Sequence, residues 1–301
     1  MKSDNIKNLS TEARNENSFD IDKKSTLDIC KIINNEDKKV AYEIEKELES
    51  ISKVIDSVVE AFKNGGRLIY VGAGTSGRMG LIDAVECRPT FSVCDEDVMC
   101  VMAGGDKAFV KAKEGAEDSK EDAIVDLKNI GLNKNDILIG IAASGRTPYV
   151  ISSIEYAKGM GCKTASIATV KNSIIGTIAD MKIEVVTGAE VISGSTRMKA
   201  GSAQKMICNM ISTTSMIKMG KVYNNYMVDV NPTNEKLIKR ACNIIKEITN
   251  ASDSVCEEKM RKYKSVKKAI ISILLETDDI EYIDKLLLEN NGNLRKIIGD
   301  R

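Results

Sequence analysis

Three short stretches of this chain mix glycine with hydroxyl side chains: Gly74-Thr75-Ser76-Gly77, Ala143-Ser144-Gly145-Arg146-Thr147 and Ser193-Gly194-Ser195-Thr196-Arg197. Glycine lets an anion approach the backbone, and a serine or threonine hydroxyl donates a further hydrogen bond. If each stretch opens a helix, the free N–H groups and the positive end of the helix dipole add to the attraction. One such loop alone reads as an ordinary helix cap. Three in one domain point to a phosphate, with Gly74, Thr75, Ser76, Ser144, Arg146, Thr147, Ser195 and Thr196 as the candidate binding residues.

Acid–base chemistry is constrained by an absence, because the chain contains no histidine. Nucleophile–histidine systems and histidine-ligated metals are therefore excluded. Proton transfer near neutral pH falls to carboxylates, lysine, cysteine or tyrosine. Glu86, in Asp83-Ala84-Val85-Glu86-Cys87-Arg88-Pro89, stands where the helix after the first loop is expected to end at Pro89. A carboxylate is unfavourable at the negative end of a helix, which hints at a role for it. Glu117 reads by itself as part of a charged helix face. Two carboxylates beside a phosphate site are a natural acid and base, and burial of one would raise its pKa enough to donate a proton.

Composition narrows the setting. The chain has 301 residues, with 44 Lys+Arg against 44 Asp+Glu and 43% hydrophobic residues. That length suits one large domain and a small one. Zero net charge gives no global support to nucleic-acid binding. No apolar run reaches membrane-spanning length, and the polar start lacks a signal-peptide core, so a cytoplasmic protein is expected. Eight cysteines lack metal-type spacing and read as reduced thiols.

The elements that must position these groups follow from hydrophobic periodicity. Residues 1–20 are polar and expected to be loosely ordered. Helical spacing runs over 25–64 and stops at Gly65-Gly66. Apolar strands are expected at 67–71, 98–102, 136–141, 163–169 and 181–186, with helical segments between them and a charged helical stretch over 107–129. Short strands apolar on both faces, alternating with helices, imply a five-stranded parallel sheet flanked by helices. Right-handed crossovers then gather the strand-to-helix loops at one edge. The apolar helix at 203–219 is a core or subunit-contact helix. The domain reading is an N-terminal segment with helices (1–60), a catalytic α/β domain (61–234) and a small helical domain (235–301).

Gly72, Gly74 and Gly77 also match the dinucleotide pattern G-x-G-x-x-G. That pattern expects an acid at the end of the second strand to hold the ribose. Asp95, Glu96 and Asp97 precede that strand instead, so a sugar phosphate fits better than a dinucleotide.

The blocks VGAGTSGRMGLIDAVECRPTF, IAASGRTPYV and GSTRMKAGSAQKMICNMISTTSMIKMGKVYNNYMVD together resemble the N-acetylmuramic acid 6-phosphate etherase family of the sugar isomerase (SIS) superfamily. The resemblance extends upstream through STEARNENSFDIDKKSTLDICKIINNEDKKV. It implies a carbon–oxygen lyase of the SIS fold that removes the lactyl ether of N-acetylmuramate 6-phosphate. The implied products are N-acetylglucosamine 6-phosphate and D-lactate, formed by elimination and then hydration in peptidoglycan recycling. It further implies no cofactor and no metal, a homodimer, and no nucleic-acid or membrane partner. By motif position Glu86 matches the family's proton donor and Glu117 its second catalytic glutamate, which becomes the C2 base. The 203–219 helix becomes the candidate dimer contact, and the tail at 266–298 resembles a ubiquitin-associated-like module.

The family more often has Ser-Glu-Cys-Pro-Pro where this chain has Val85-Glu86-Cys87-Arg88-Pro89, which makes Arg88 a candidate for the lactyl carboxylate. Two other classes share the fold. A phosphosugar-binding regulator would usually carry a basic helix-turn-helix, which 1–60 lacks. An aldose–ketose isomerase would not need a second acid to expel a C3 oxygen.

Overall fold

The computed structural model describes residues 11, 13–111, 113–230, 232 and 234–299. The chain divides into two compact units, one of residues up to 85 with 95–212, the other of 86–94 with 213–301.

The first unit is built on β1 (Leu68–Gly72), β2 (Val98–Met102), β3 (Ile137–Ile141), β4 (Lys163–Ala168) and β5 (Met181–Glu184). They form a parallel sheet in the order β2-β1-β3-β4-β5. All residues of β1 and β3 are buried, as expected for strands covered on both faces. β1 pairs in parallel register with both neighbours, so Gly72 lies opposite Met102 on β2 and Ile141 on β3. The chain leaves β1 toward β2 and later returns to β1's other side as β3. The loops after β1 and β3 therefore flank a topological switch point, where open α/β sheets bind ligands.

The intervening helices are α1 (Thr26–Glu45), α2 (Leu48–Lys63), α3 (Gly74–Phe91), α4 (Lys107–Val110), α5 (Lys120–Asn129), α6 (Pro148–Gly159), α7 (Ile174–Ile178) and α8 (Lys199–Lys218). One face of the sheet packs Ile69, Val71 and Leu138 against Leu127, Tyr149, Val150, Ile154 and Ile175. A Cβ on Gly140 of β3 would lie 2.7 Å from both Ile154 and Val150, so glycine there lets α6 sit close. Ile51, Val54, Ile55 and Val58 form the buried stripe of α2, which packs on β1, β3 and β5.

Several expectations are corrected. Residues 1–10 and 12 lie outside the described set, but 13–20 are not loose. Asn15 donates to the Ala189 carbonyl at 3.0 Å and Ser18 to that of Val191 at 2.8 Å. The 25–64 stretch is two helices, broken after Glu45. The 107–129 stretch is interrupted between α4 and a 3-10 turn at Ala116–Asp118, where Gly115 takes φ +76°. Pro89 does not end α3, which runs on to Phe91, with Ser92 N–H still bonding the Arg88 carbonyl at 2.9 Å. Proline removes one donor, a small loss within the last turn. Glu86 is consequently inside the helix rather than at its end.

The second unit contains the hairpin β6 (Val222–Tyr223) and β7 (Tyr226–Met227), then α9 (Glu235–Thr249), α10 (Asp253–Tyr263), α11 (Val266–Leu274), α12 (Ile280–Glu289) and α13 (Leu294–Ile298). Asn234, Ser252, Ser265, Asp279 and Asn293 each cap the helix that follows through a side-chain oxygen. Its core joins Ile245, Met260, Tyr263, Ile270, Ile271, Ile283 and Leu294. The stretch 266–298 is the three helices α11, α12 and α13. Among the described residues no helix is long and apolar enough to cross a membrane.

Candidate active site

The first glycine loop joins β1 to α3. A Cβ on Gly72 would lie 2.6 Å from the Gly77 nitrogen, and one on Gly77 2.8 Å from the Gly72 oxygen. These two glycines let strand and helix pack backbone to backbone. Gly74 differs: it has φ +54° and only open space around an added Cβ. Thr75 is half-buried and Ser76 is buried, so Thr75 is the more accessible hydroxyl. The acids at 95–97 lie in the turn before β2, at the opposite edge of the sheet.

The second loop joins β3 to α6. Gly145 takes φ +66°, and its N–H bonds the Ala142 carbonyl at 3.0 Å. A Cβ there would come within 2.4 Å of the Ser173 Cβ. Ser173 is itself fixed, donating through N–H (2.8 Å) and hydroxyl (2.9 Å) to the buried carboxylate of Glu184. Burial pushes that carboxyl's pKa up, but the bonds from Ser173 and Asn172 outweigh it and hold it below the usual range. Ser144, Arg146 and Thr147 are half-buried. Thr147 stands at the N-cap of α6 without making a capping hydrogen bond, and Pro148 follows.

The third loop precedes α8, with Ser195 and Thr196 half-buried. A Cβ on Gly201 of α8 would lie 3.2 Å from the Thr75 side chain and 3.7 Å from the Thr196 carbonyl, so the first and third loops meet there. The N-terminus of α8 is not open to a ligand. Glu190, 1% exposed, accepts from Lys199 N–H at 3.0 Å and Ala200 N–H at 2.9 Å. Gly201 N–H bonds the Thr196 carbonyl at 3.1 Å. The expectation of a free helix terminus therefore fails here, because a protein carboxylate already fills it.

A cleft of about 210 Å³ opens beside the first loop, lined by Gly74, Arg78, Lys113, Glu114, Gly115 and Glu117 among others. It brings Gly74 and Glu117 together at the carboxyl edge of β1 and β2. Arg78 is held by the carbonyls of Phe109 (2.9 Å) and Ala108 (2.8 Å). Arg78 and Lys113 were not singled out from sequence, although Arg78 belongs to the GTSGRMG stretch. Glu86 lies on α3 in the 86–94 segment. Glu86 and Glu117 are both exposed, so the chain itself does not bury either as expected.

Sequence reasoning also missed Asp83, a buried carboxylate of α3. It accepts from Tyr70 (3.0 Å), Asn209 (2.7 Å) and Ser212 (2.9 Å), locking α3 to β1 and α8. Burial raises its pKa against these bonds. Ala203, Ile207, Cys208 and Ile211 of α8 are fully buried by the chain's own core, so those side chains are not available to a second subunit. Among the described residues no cluster of His, Cys, Asp and Glu could hold a metal ion.

Comparison with known families agrees with this architecture. Residues 50–158 match the glucokinase regulatory protein N-terminal SIS domain, and 120–213 match the SIS domain. Residues 224–277 match the C-terminal lid domain of glucokinase regulatory protein. The chain is 54% identical over 282 residues to an N-acetylmuramic acid 6-phosphate etherase of Bacillus cereus, covering 93% of this chain and 96% of that one. It is 53% identical over 282 residues to the protein of the same name from Bacillus thuringiensis subsp. konkukian, with the same coverage of 93% and 96%.

Proposed function

Because the chain belongs to the N-acetylmuramic acid 6-phosphate etherase family, we propose that it cleaves the D-lactyl ether of N-acetylmuramate 6-phosphate to N-acetylglucosamine 6-phosphate and D-lactate. The observation that supports this best is the shared cleft of Gly74 and Glu117 at the carboxyl edge of the sheet. A sugar anchored by its phosphate on the hydroxyl loops would lie beside a carboxylate able to act on its carbon chain.

The open-chain sugar has a C1 aldehyde that acidifies the C2 proton. Glu117 takes that proton, the C2–C3 double bond forms, and the C3–O bond to lactate breaks. Glu86 gives its proton to the departing lactyl oxygen. Water then adds to the double bond, its hydroxyl to C3 and a proton to C2. The oxidation level of the sugar is unchanged, so the sequence needs no redox cofactor. Gly74, Thr75, Ser76, Ser144, Arg146, Thr147, Ser195 and Thr196 bind the phosphosugar in this reading, and Arg88 takes the lactyl carboxylate. The division into 1–60, 61–234 and 235–301 rests on the sequence pattern and a cytoplasmic form on composition, while a homodimer and a place in peptidoglycan recycling rest on family resemblance.

The test is D-lactate release from N-acetylmuramate 6-phosphate by the purified chain. Folded protein that releases none overturns the reading. The roles have a separate check in deuterated water. Glu86→Gln should keep C2 hydrogen exchange and lose ether cleavage, while Glu117→Gln should lose both. The opposite pattern would exchange the two assignments.

A further inference from the structure

We infer that Glu190 is a positioning residue that sets the shape of the Ser195–Thr196 loop, and so tunes phosphosugar affinity without touching the sugar. The inference rests on the proposed phosphosugar reading for its kinetic consequence, though not for its geometry.

Glu190 stands at the start of the loop, and its carboxylate grips the first two N–H groups of α8 at the loop's far end. A single side chain thereby clasps both ends of 191–198. The near end is held independently, since Asn15 bonds the carbonyl of Ala189 and Ser18 that of Val191 on either side of Glu190. The far end is held by the Lys199 side chain, 2% exposed, whose Nζ lies 2.7 Å from Glu36 Oε2. Glu36 also takes bonds from Lys39 (2.5 Å) and Asn17 (2.9 Å). Every group in this clasp is anchored by another. Near its tip the loop bonds to itself, Ser195 N–H to the Ile192 carbonyl at 3.0 Å and Thr196 N–H to the Gly194 carbonyl at 3.1 Å.

The carboxylate suits this task better than any neutral group. It has two acceptor oxygens for two N–H donors and a negative charge at the positive end of a helix dipole. Glutamine offers one acceptor oxygen and a repelling NH₂, so one N–H loses its partner and the loop end loosens. The hydroxyls of Ser195 and Thr196 would then sample geometries that no longer converge on the phosphate. Glu190 contributes to binding through the loop, so the effect falls on KM rather than on proton transfer.

The experiment is a double-mutant cycle between Glu190→Gln and the loop pair Ser195→Ala with Thr196→Val, read as KM and kcat for D-lactate release. Glu190→Gln alone should raise KM roughly tenfold, about the loss of one charge-assisted hydrogen bond, with kcat changed far less. In the loop-pair background the same substitution should change KM by less than about twofold, because the groups it positions are gone. An undiminished KM effect in that background overturns the inference, as does an equal fall in kcat. Amide hydrogen exchange over 193–198 is the arm that needs no turnover. Exchange should speed up in Glu190→Gln at these amides while β1 and β3 stay protected. Unchanged exchange at 193–198 overturns the inference even if the etherase reading holds. Conversely, faster exchange in a protein that releases no lactate fails the etherase reading and keeps the positioning role. Glu190→Asp, which retains the charge on a shorter arm, should recover part of the KM.

Discussion

The helices α6 and α8 both begin at a loop rich in serine and threonine, yet their first turns differ. At α6 the N-cap Thr147 makes no capping bond and Pro148 supplies no N–H. At α8 the leading N–H groups of Lys199, Ala200 and Gly201 are all taken, two of them by Glu190. The same loop composition thus leads into two different helix starts. At α6 no side-chain cap from the chain fills the terminus. At α8 a carboxylate from the chain occupies the leading N–H groups of the helix. A positive helix end is a site only where the protein has not already neutralised it.

The largest effect comes from separating chemistry from this binding apparatus. Glu117→Gln and Glu86→Gln should each lower kcat for D-lactate release by about 10²- to 10⁴-fold, the usual weight of a general acid or base. Calorimetric affinity for the sugar phosphate should move little, because neither residue belongs to the hydroxyl loops. Next comes filling the terminus that is open. Thr147→Asp should raise KM by about 100-fold or more, since like charges at ~4 Å cost about 4 kcal/mol at an effective dielectric near 20. Its Tm should hold or rise, because aspartate is a good N-cap. If KM were unaffected, α6 would not be the phosphate terminus and the contrast with α8 would collapse.

A smaller effect is expected where the second loop is braced. Gly145→Ala places a Cβ at φ +66° and against Ser173. The left-handed conformation alone costs about 1–2 kcal/mol, so thermal denaturation should show a Tm lower by roughly 5 °C. The smallest effect is the acid response of the clasp at α8. Burial pushes the Glu36 pKa up, but hydrogen bonds from Lys199, Lys39 and Asn17 outweigh it and bring it from 4.5 down to about 2. A depressed carboxylate stabilises the fold fully above its unfolded value and less as it protonates. Unfolding free energy should therefore fall as pH drops from 4.5 toward 2. The fall should be shallower in Glu36→Gln, as measured by denaturant titration.

Much of the scaffold was legible in the sequence. The five strands lie within a residue or two of their expected places, because short runs apolar on both faces can only be buried strands of a covered sheet. Acids preceding β2 already argued against a dinucleotide. Breaks were harder to read. The chain leaves its helix after Val110 and turns at Gly115 in a stretch whose charge pattern looks helical throughout, while Pro89 fails to stop one. Each outcome depends on local backbone geometry rather than on periodicity. Arg78 sits in a motif whose signal lies in its glycines and hydroxyls, and only the fold shows it lining the cleft. Asp83, Glu184 and Glu190 give no signal in the sequence, because a single carboxylate carries no sign of the partners it will find.

By itself the sequence determined the covered parallel sheet, the hydroxyl loops and, through the absence of histidine, that carboxylates are the leading candidates for proton transfer. Those follow from residue type and spacing along the chain. Only the tertiary structure decided which helix termini stay open, since Glu184 and Glu190 reach their donors across the fold. It also decided that Gly72 and Gly77 serve strand–helix packing while Gly74 faces open space. Availability of a donor depends on what else can reach it, and that is fixed only when distant segments are packed together.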